Sequence, residues 1–229
     1  MSVVSERYRA LVCELAACAA AAGREPESVR LVCVSKTASA SEVRDAFAAG
    51  AHVFGENRIE HMMEMASALP EASWHFIGNI QSRKIPDIVR TSDLIHSVWR
   101  EDQLPKLDRA AKCFGKVQDI LIEVNVSGEA SKDGLAPADV SAFLRACEAC
   151  PNLSVRGLMT MAPLGDAAAA QAAFAGLAQL RCDLVAEVPA REPVLTELSM
   201  GMSDDWKYAV SAGSTMVRLG RAVFSPDFC

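Results

Sequence analysis

The chain has 229 residues, 51% of them apolar, and a net charge of −6 with no long run of one sign. That is enough apolar material for one sizeable core, and it gives no basic patch of the kind a nucleic-acid or anionic-membrane partner would need. No apolar run is long enough to span a bilayer and no leader pattern opens the sequence, so a cytoplasmic protein is expected.

No linker rich in proline, glycine or serine divides the sequence, so residues 1–229 are expected to form one domain. The eight cysteines lie mostly among alanines and leucines in helix-like stretches and read as small apolar fillers in a reducing compartment. Cys147 and Cys150 form one CxxC pair; without a second pair, helix packing is the plainer reading than zinc or redox use.

In chain order, an amphipathic helix is predicted over residues 5–22. A β-branched run, Leu31–Ser35, follows and leads to Lys36, then a helix over 41–49 with Ser41 as its cap. Strands are predicted over 52–55, 73–77, 94–98, 118–125, 155–159, 197–200 and 215–219. Helices are predicted between them, over 56–68, 80–89, 101–112, 137–149, 166–186 and 204–212. Several strands are almost wholly apolar, as parallel strands covered on both faces are. Eight strand–helix units with no glycine-rich first turn favour a closed (β/α)8 TIM barrel, preceded by an extra N-terminal helix, over an open doubly wound sheet.

Function in that fold sits at the carboxyl ends of the strands. The first strand ends at Lys36, whose amine, desolvated at an apolar mouth, would attack carbonyls; the plain alternative is a lysine that snorkels to water. The last strand ends Arg218-Leu219-Gly220-Arg221, and the seventh leads into Ser199-Met200-Gly201-Met202-Ser203. Together they read as a two-loop phosphate cup, since glycine lets backbone amides approach an anion closely. Arg218 lies inside an apolar strand and needs a partner or a ligand; Glu123 and Glu197 are the candidate carboxylate partners. Asn57 ends the second strand, and Glu56 is expected in a helix first turn. His75 reads as a satisfied core histidine, and the loop 127–134 as either a solvated loop or a cover carrying Lys132.

Several runs in order along nearly the whole chain carry a resemblance. They are Val34-Ser35-Lys36-Thr37, Phe54-Gly55-Glu56-Asn57, His75-Phe76-Ile77-Gly78, Arg156-Gly157-Leu158-Met159, Leu198-Ser199-Met200-Gly201-Met202-Ser203-Asp204-Asp205 and Ala212-Gly213-Ser214-Thr215-Met216-Val217-Arg218-Leu219-Gly220. The sequence resembles the pyridoxal phosphate homeostasis proteins, whose fold is similar to the barrel domain of alanine racemase. The resemblance implies that pyridoxal 5'-phosphate (PLP) is carried as a Schiff base on Lys36. It implies that Arg218 faces the pyridine nitrogen, that Ser199 and the amides of Gly220 and Arg221 hold the phosphate, and that Asn57 lies beside the ring. It further implies a non-enzymatic part in vitamin B6 and amino-acid balance, with apo PLP enzymes as recipients. The chain departs from the family at Arg221, where threonine is frequent, and at Ile80-Gln81-Ser82-Arg83-Lys84, where the family reads Leu-Gln-x-Asn-Lys.

Two alternatives stay open. A PLP-dependent racemase needs acid and base groups on both faces of the ring, and the only tyrosines, Tyr8 and Tyr208, lie at no predicted strand end. With Lys36 alone as the acid–base group, and no dimer-forming second domain, a monomeric carrier is expected. A lyase forming a Schiff base with sugar phosphates would also use Lys36, Arg218 and the cup.

Overall fold

A computed structural model describes residues 2–129, 131–225 and 227–228. Eight parallel strands close into a barrel in sequence order: β1 (Arg30–Val34), β2 (Val53–Glu56), β3 (Ser73–Phe76), β4 (Leu94–Val98), β5 (Gln118–Glu123), β6 (Leu153–Met159), β7 (Glu197–Ser199) and β8 (Met216–Leu219). The helices around it are α1 (Val3–Ala21), α2 (Ala40–Ala48), α3 (Ile59–Ala68), α4 (Ile85–Thr91), α5 (Leu104–Cys113), α6 (Val140–Glu148), α7 (Ala167–Glu187), α8 (Trp206–Ser211) and α9 (Arg221–Phe224). The seam of the barrel is the β1–β8 pair, with Arg30 opposite Met216 and Val32 opposite Arg218.

Side chains alternate along each strand, so each strand feeds two cores. Val32, Leu94, Leu121, Met159 and Met216 fill the barrel interior. Cys33, Phe54, Trp74, Ile95, Ile120, Ile122, Leu158, Leu198, Val217 and Leu219 face the helices and join one larger core. The inward parity that starts at Val32, Leu94 and Met216 continues to His96 and Arg218, and this is how charged and polar groups come to lie inside an otherwise apolar barrel.

Several local expectations change. The cap of α2 is Ser39, not Ser41: its side chain accepts from the Glu42 amide while the Glu42 carboxylate accepts from the Ser39 amide, a reciprocal capping box. Glu56 ends β2 and is fully buried rather than standing in a helix first turn. Pro86 sits in the first turn of α4, where its missing N–H costs nothing. The short α9 directly after β8 was not predicted. Cys33, Cys147 and Cys150 are buried, as fillers should be, but Cys13, Cys113 and Cys182 are exposed. Among the described residues no helix is long and apolar enough to cross a membrane and no cluster of metal-ligating groups forms.

The extra helix α1 lies across the seam. Ser2 caps its start, the Ser5 hydroxyl donates to Asp45 O of α2 at 3.0 Å, and Arg7 donates to Ser225 O beyond α9. Arg24, just after α1, donates to Val210 O of α8 at 3.1 Å.

Candidate functional site

Lys36 stands just past the end of β1 with the parity of Val32 and Val34, and its side chain is exposed. The desolvated amine expected from the sequence is thus not what the structure presents; the amine is open to whatever enters the mouth. The turn that carries it is anchored on both sides. The Ser35 hydroxyl donates to Glu56 Oε1 at 2.7 Å, and Arg58 Nη2 donates to Lys36 O at 3.1 Å. His61 Nδ1 of α3 lies 2.9 Å from the same Glu56 oxygen, while Glu56 Oε2 has no hydrogen-bond partner among the described residues. Asn57, next along the β2 end, is exposed at the rim.

Across the seam, Arg218 is buried and forms no ion pair with a carboxylate among the described residues. Its Nη1 donates to Ser199 O at 2.8 Å and Ser199 Oγ at 2.7 Å, and its Nη2 donates to Thr160 O at 3.0 Å. Burial pulls its pKa down to about 10, with Glu123 and Asp205 opposing, so it remains a cation at neutral pH. Burial, reinforced by Asp133 and opposed by Arg218, pushes Glu123 up to about 7. Glu197, the other expected partner, is taken by Arg30 and by the Thr215 hydroxyl.

The two loops read as a phosphate cup meet at the same end of the barrel. Ser199 is fully buried inside the barrel, between Arg218 and His96 Nδ1 at 2.9 Å. The Ser203 hydroxyl accepts the Ala222 amide at 3.3 Å and so joins the β7–α8 loop to the start of α9. Gly220 turns the chain from β8 into α9, and a β-carbon there would lie 3.1 Å from Val34 O, so the turn closes against the strand that leads to Lys36. The Arg221 side chain is bound to Asp204 and lies over the Phe228 ring, 5.2 Å from its centroid. Lys132 is held by Glu129 at 2.9 Å and reaches Met161 O at 3.4 Å, which favours a pinned loop over a free cover; Ala130 of that loop lies outside the described residues.

The structure therefore brings Lys36, Asn57, Arg218 and Gly220 to one end of the barrel, with the Arg221 side chain turned to Asp204 and Ser199 lying beneath. His75 is buried and satisfied, as expected, but its partner is His96 at 3.0 Å. His96 and Thr160 were not assigned roles from the sequence, and Ser203 only as part of the glycine-containing turn after the seventh strand. His96 carried a legible signal, the same as that of Arg218: a polar residue inside an apolar strand, Leu94-Ile95-His96-Ser97-Val98.

A family model described as "Alanine racemase, N-terminal domain" matches residues 14–226. The chain is 40% identical over 227 residues to the "Pyridoxal phosphate homeostasis protein" of Pseudomonas aeruginosa, covering 98% of this chain and 96% of the relative. It is 41% identical over 207 residues to the protein of the same name from Deinococcus radiodurans, covering 90% and 93%. Among solved structures it is similar to PipY of Synechococcus elongatus with PLP bound, with a TM-score of 0.83, 35% identity and coverage of 97% of this chain and 100% of that one. Alanine racemase from Corynebacterium glutamicum, with a TM-score of 0.72 and 14% identity, shares the fold over 96% of this chain and 59% of its own.

Proposed function

This chain belongs to the alanine racemase N-terminal domain family and, within it, to the pyridoxal phosphate homeostasis proteins, and on that premise we propose that it holds PLP at the barrel mouth on the Lys36 amine. The residues fit the group. An accessible primary amine and a buried guanidinium come from the two strands of the seam. Beside them lies a glycine turn in which a β-carbon would crowd Val34 O at 3.1 Å. When bound, PLP supplies an aldehyde that condenses with a primary amine and a pyridine ring whose charge state sets its reactivity.

The chain's own groups then divide the work. Lys36 provides the amine. Arg218 places a cation toward the ring nitrogen and keeps that nitrogen unprotonated, because two adjacent cations repel. Ser203 with the amides of Gly220 and Arg221 forms the phosphate cup, and Asn57 donates to the ring oxygen. Ser199 sits one step behind, holding Arg218. The Arg221 side chain, neutralised by Asp204, adds no free charge to the cup.

We read the protein as a carrier in PLP homeostasis that turns nothing over. Tyr8 is on the outer helix α1, donating to Gly50 O at 2.9 Å, with burial first and Cys33 second pushing its pKa up to about 12. Tyr208 is on α8 and lines a surface groove. Both lie on helices rather than directly at a strand end, where the acid–base group for the second face of the ring is expected. A cytoplasmic monomer delivering PLP to apo PLP enzymes fits this reading, and the free thiols of the described cysteines suit a reducing compartment.

The observation that carries the proposal is the β1–β8 seam, which sets the Lys36 turn beside Arg218 and Gly220. PLP added to the purified protein should give a visible-edge absorbance band that borohydride abolishes, and peptide mapping should put the label on Lys36. Lys36→Ala should fold and take no label; a label elsewhere would move the site. Formation of D-alanine from L-alanine would favour the racemase reading. A colourless protein trapped by borohydride only with added sugar phosphate would favour the lyase.

A further inference from the structure

Beneath the cofactor site a row of polar side chains runs down the barrel axis, and the proposed binding of PLP assigns it no part. Arg218 Nη1 lies 2.7 Å from Ser199 Oγ, Ser199 Oγ lies 2.9 Å from His96 Nδ1, and His96 Nε2 lies 3.0 Å from His75 Nδ1. All four residues are buried. At the far end His75 borders a cavity of about 220 Å³, also lined by Arg30, Asp93, Asp119 and Glu197, beneath the amino ends of the strands.

The direction of these bonds follows from donor chemistry. A guanidinium only donates, so Ser199 Oγ accepts from Arg218. The Ser199 hydroxyl proton then needs an acceptor, and the other group in contact with that oxygen is His96 Nδ1. His96 Nδ1 is therefore bare and its proton sits on Nε2, which donates to His75 Nδ1. His75 in turn carries its proton on Nε2. Reversing the row would give Ser199 Oγ two donors and leave its own proton buried without a partner, which the low-dielectric interior penalises. Neutral rings suit the place. Burial pushes His75 down to about 4, and burial, then His75, then Arg218 and Arg30, hold His96 well below the ordinary imidazole range.

We propose that His96, backed by His75, is a positioning residue that acts through Ser199 to hold the Arg218 guanidinium in the orientation that meets the cofactor ring, with both imidazoles fixed as neutral Nε2–H tautomers. This rests on the reading of Lys36 and Arg218 as PLP ligands. Arg218 has two carbonyls to bind besides Ser199 Oγ, but those belong to β7 and to the residue just after β6 and restrain it only from the side. The hydroxyl is the one acceptor tied to the barrel axis, and it is a fixed acceptor only while His96 takes its proton.

The test has two parts. Histidine ¹⁵N NMR on the PLP-free chain should show both rings as Nε2–H, and an Nδ1–H form of His96 would overturn the proposal. PLP titration should then show His96→Leu binding about tenfold more weakly with an altered absorption maximum, since the Ser199 proton loses its acceptor. His96→Asn, whose Oδ1 replaces Nδ1 as acceptor, should stay within about twofold of wild type. Wild-type affinity and spectrum in the leucine variant, or equal impairment in the asparagine variant, would overturn it. Should the leucine variant fail to fold, Ser199→Ala removes the same link with little change of volume and should reproduce the loss; an unaltered Ser199→Ala spectrum and affinity would overturn it as well. The NMR measurement needs no cofactor, so it decides the tautomers even if the wild type takes up no PLP, an outcome that would overturn the functional reading instead.

Discussion

Gly78 packs so closely on Asn57 that a β-carbon at residue 78 would stand 2.2 Å from Asn57 O and 2.7 Å from its Cα. The ends of β2 and β3 meet there, and Ser97 reinforces the junction by donating to Gly78 O at 2.5 Å. Gly78→Ala must push the Asn57 backbone aside. It should lower stability by about 1–3 kcal/mol, the usual range for overpacking, and weaken PLP binding about tenfold by moving Asn57. Thermal unfolding with a PLP titration checks both; unchanged affinity would remove Asn57 from the ring.

Arg218→Glu should protonate the pyridine nitrogen of bound PLP and change the absorption spectrum, because the facing cation is replaced by an anion. Leaving the buried acceptors of Arg218 unsatisfied should also destabilise the fold, by about 1–3 kcal/mol or more. A variant that binds PLP with the wild-type spectrum would place Arg218 away from the ring nitrogen.

Arg221→Ala should leave PLP affinity within about twofold of wild type, as its charge is spent on an exposed pair with Asp204 and such pairs contribute little. A large loss in a PLP titration would mean that the side chain leaves Asp204 to meet the phosphate.

Acid stability separates Glu123 from the histidines. Glu123 is raised to about 7 in the fold, so between there and its unfolded value near 4.3 the native state holds the extra proton and stability rises as pH falls. His75, lowered to about 4, and His96, lowered further, act the other way: below about 6.5 the unfolded state takes up protons that the fold refuses, and stability falls with pH. Two histidines outweigh one carboxyl. Glu123→Gln removes the opposing proton, so its stability between pH 6 and 5 should fall more steeply by up to about 1.4 kcal/mol per pH unit. Denaturant melts across that range measure the slope, and parallel slopes would return Glu123 to an ordinary carboxylate.

Much of this was legible in the sequence because parallel barrels write themselves plainly. Runs such as Leu31-Val32-Cys33-Val34 and Ile120-Leu121-Ile122 are buried on both faces, so their apolar character survives without a structure. Lys36, Asn57, Arg218 and Gly220 were visible as polar or small residues at strand ends. What was hidden depends on contacts between residues far apart in the chain. Ser199 ends the three-residue β7 and is buried, whereas Ser203 stands in the turn beyond it and accepts the Ala222 amide, a contact with a residue 19 positions away. Glu56 looked like a helix-start carboxylate until Ser35 and His61 were seen to meet it. Arg221 has a free charge in the sequence and a bound one in the structure. His96 was missed because its partners, His75 and Ser199, come from two other strands.

The seam has a consequence for how the protein is made. The proposed attachment lysine, Lys36, follows the first strand, whereas Arg218 and the glycine turn at Gly220 belong to the last. During synthesis a nascent chain lacking β8 would present the amine with no cradle facing it, so capture of the vitamin must wait until the final segment has emerged and zipped onto its opening neighbour. Colour acquired on a ribosome-stalled series of lengthening chains would report the moment the ring shuts.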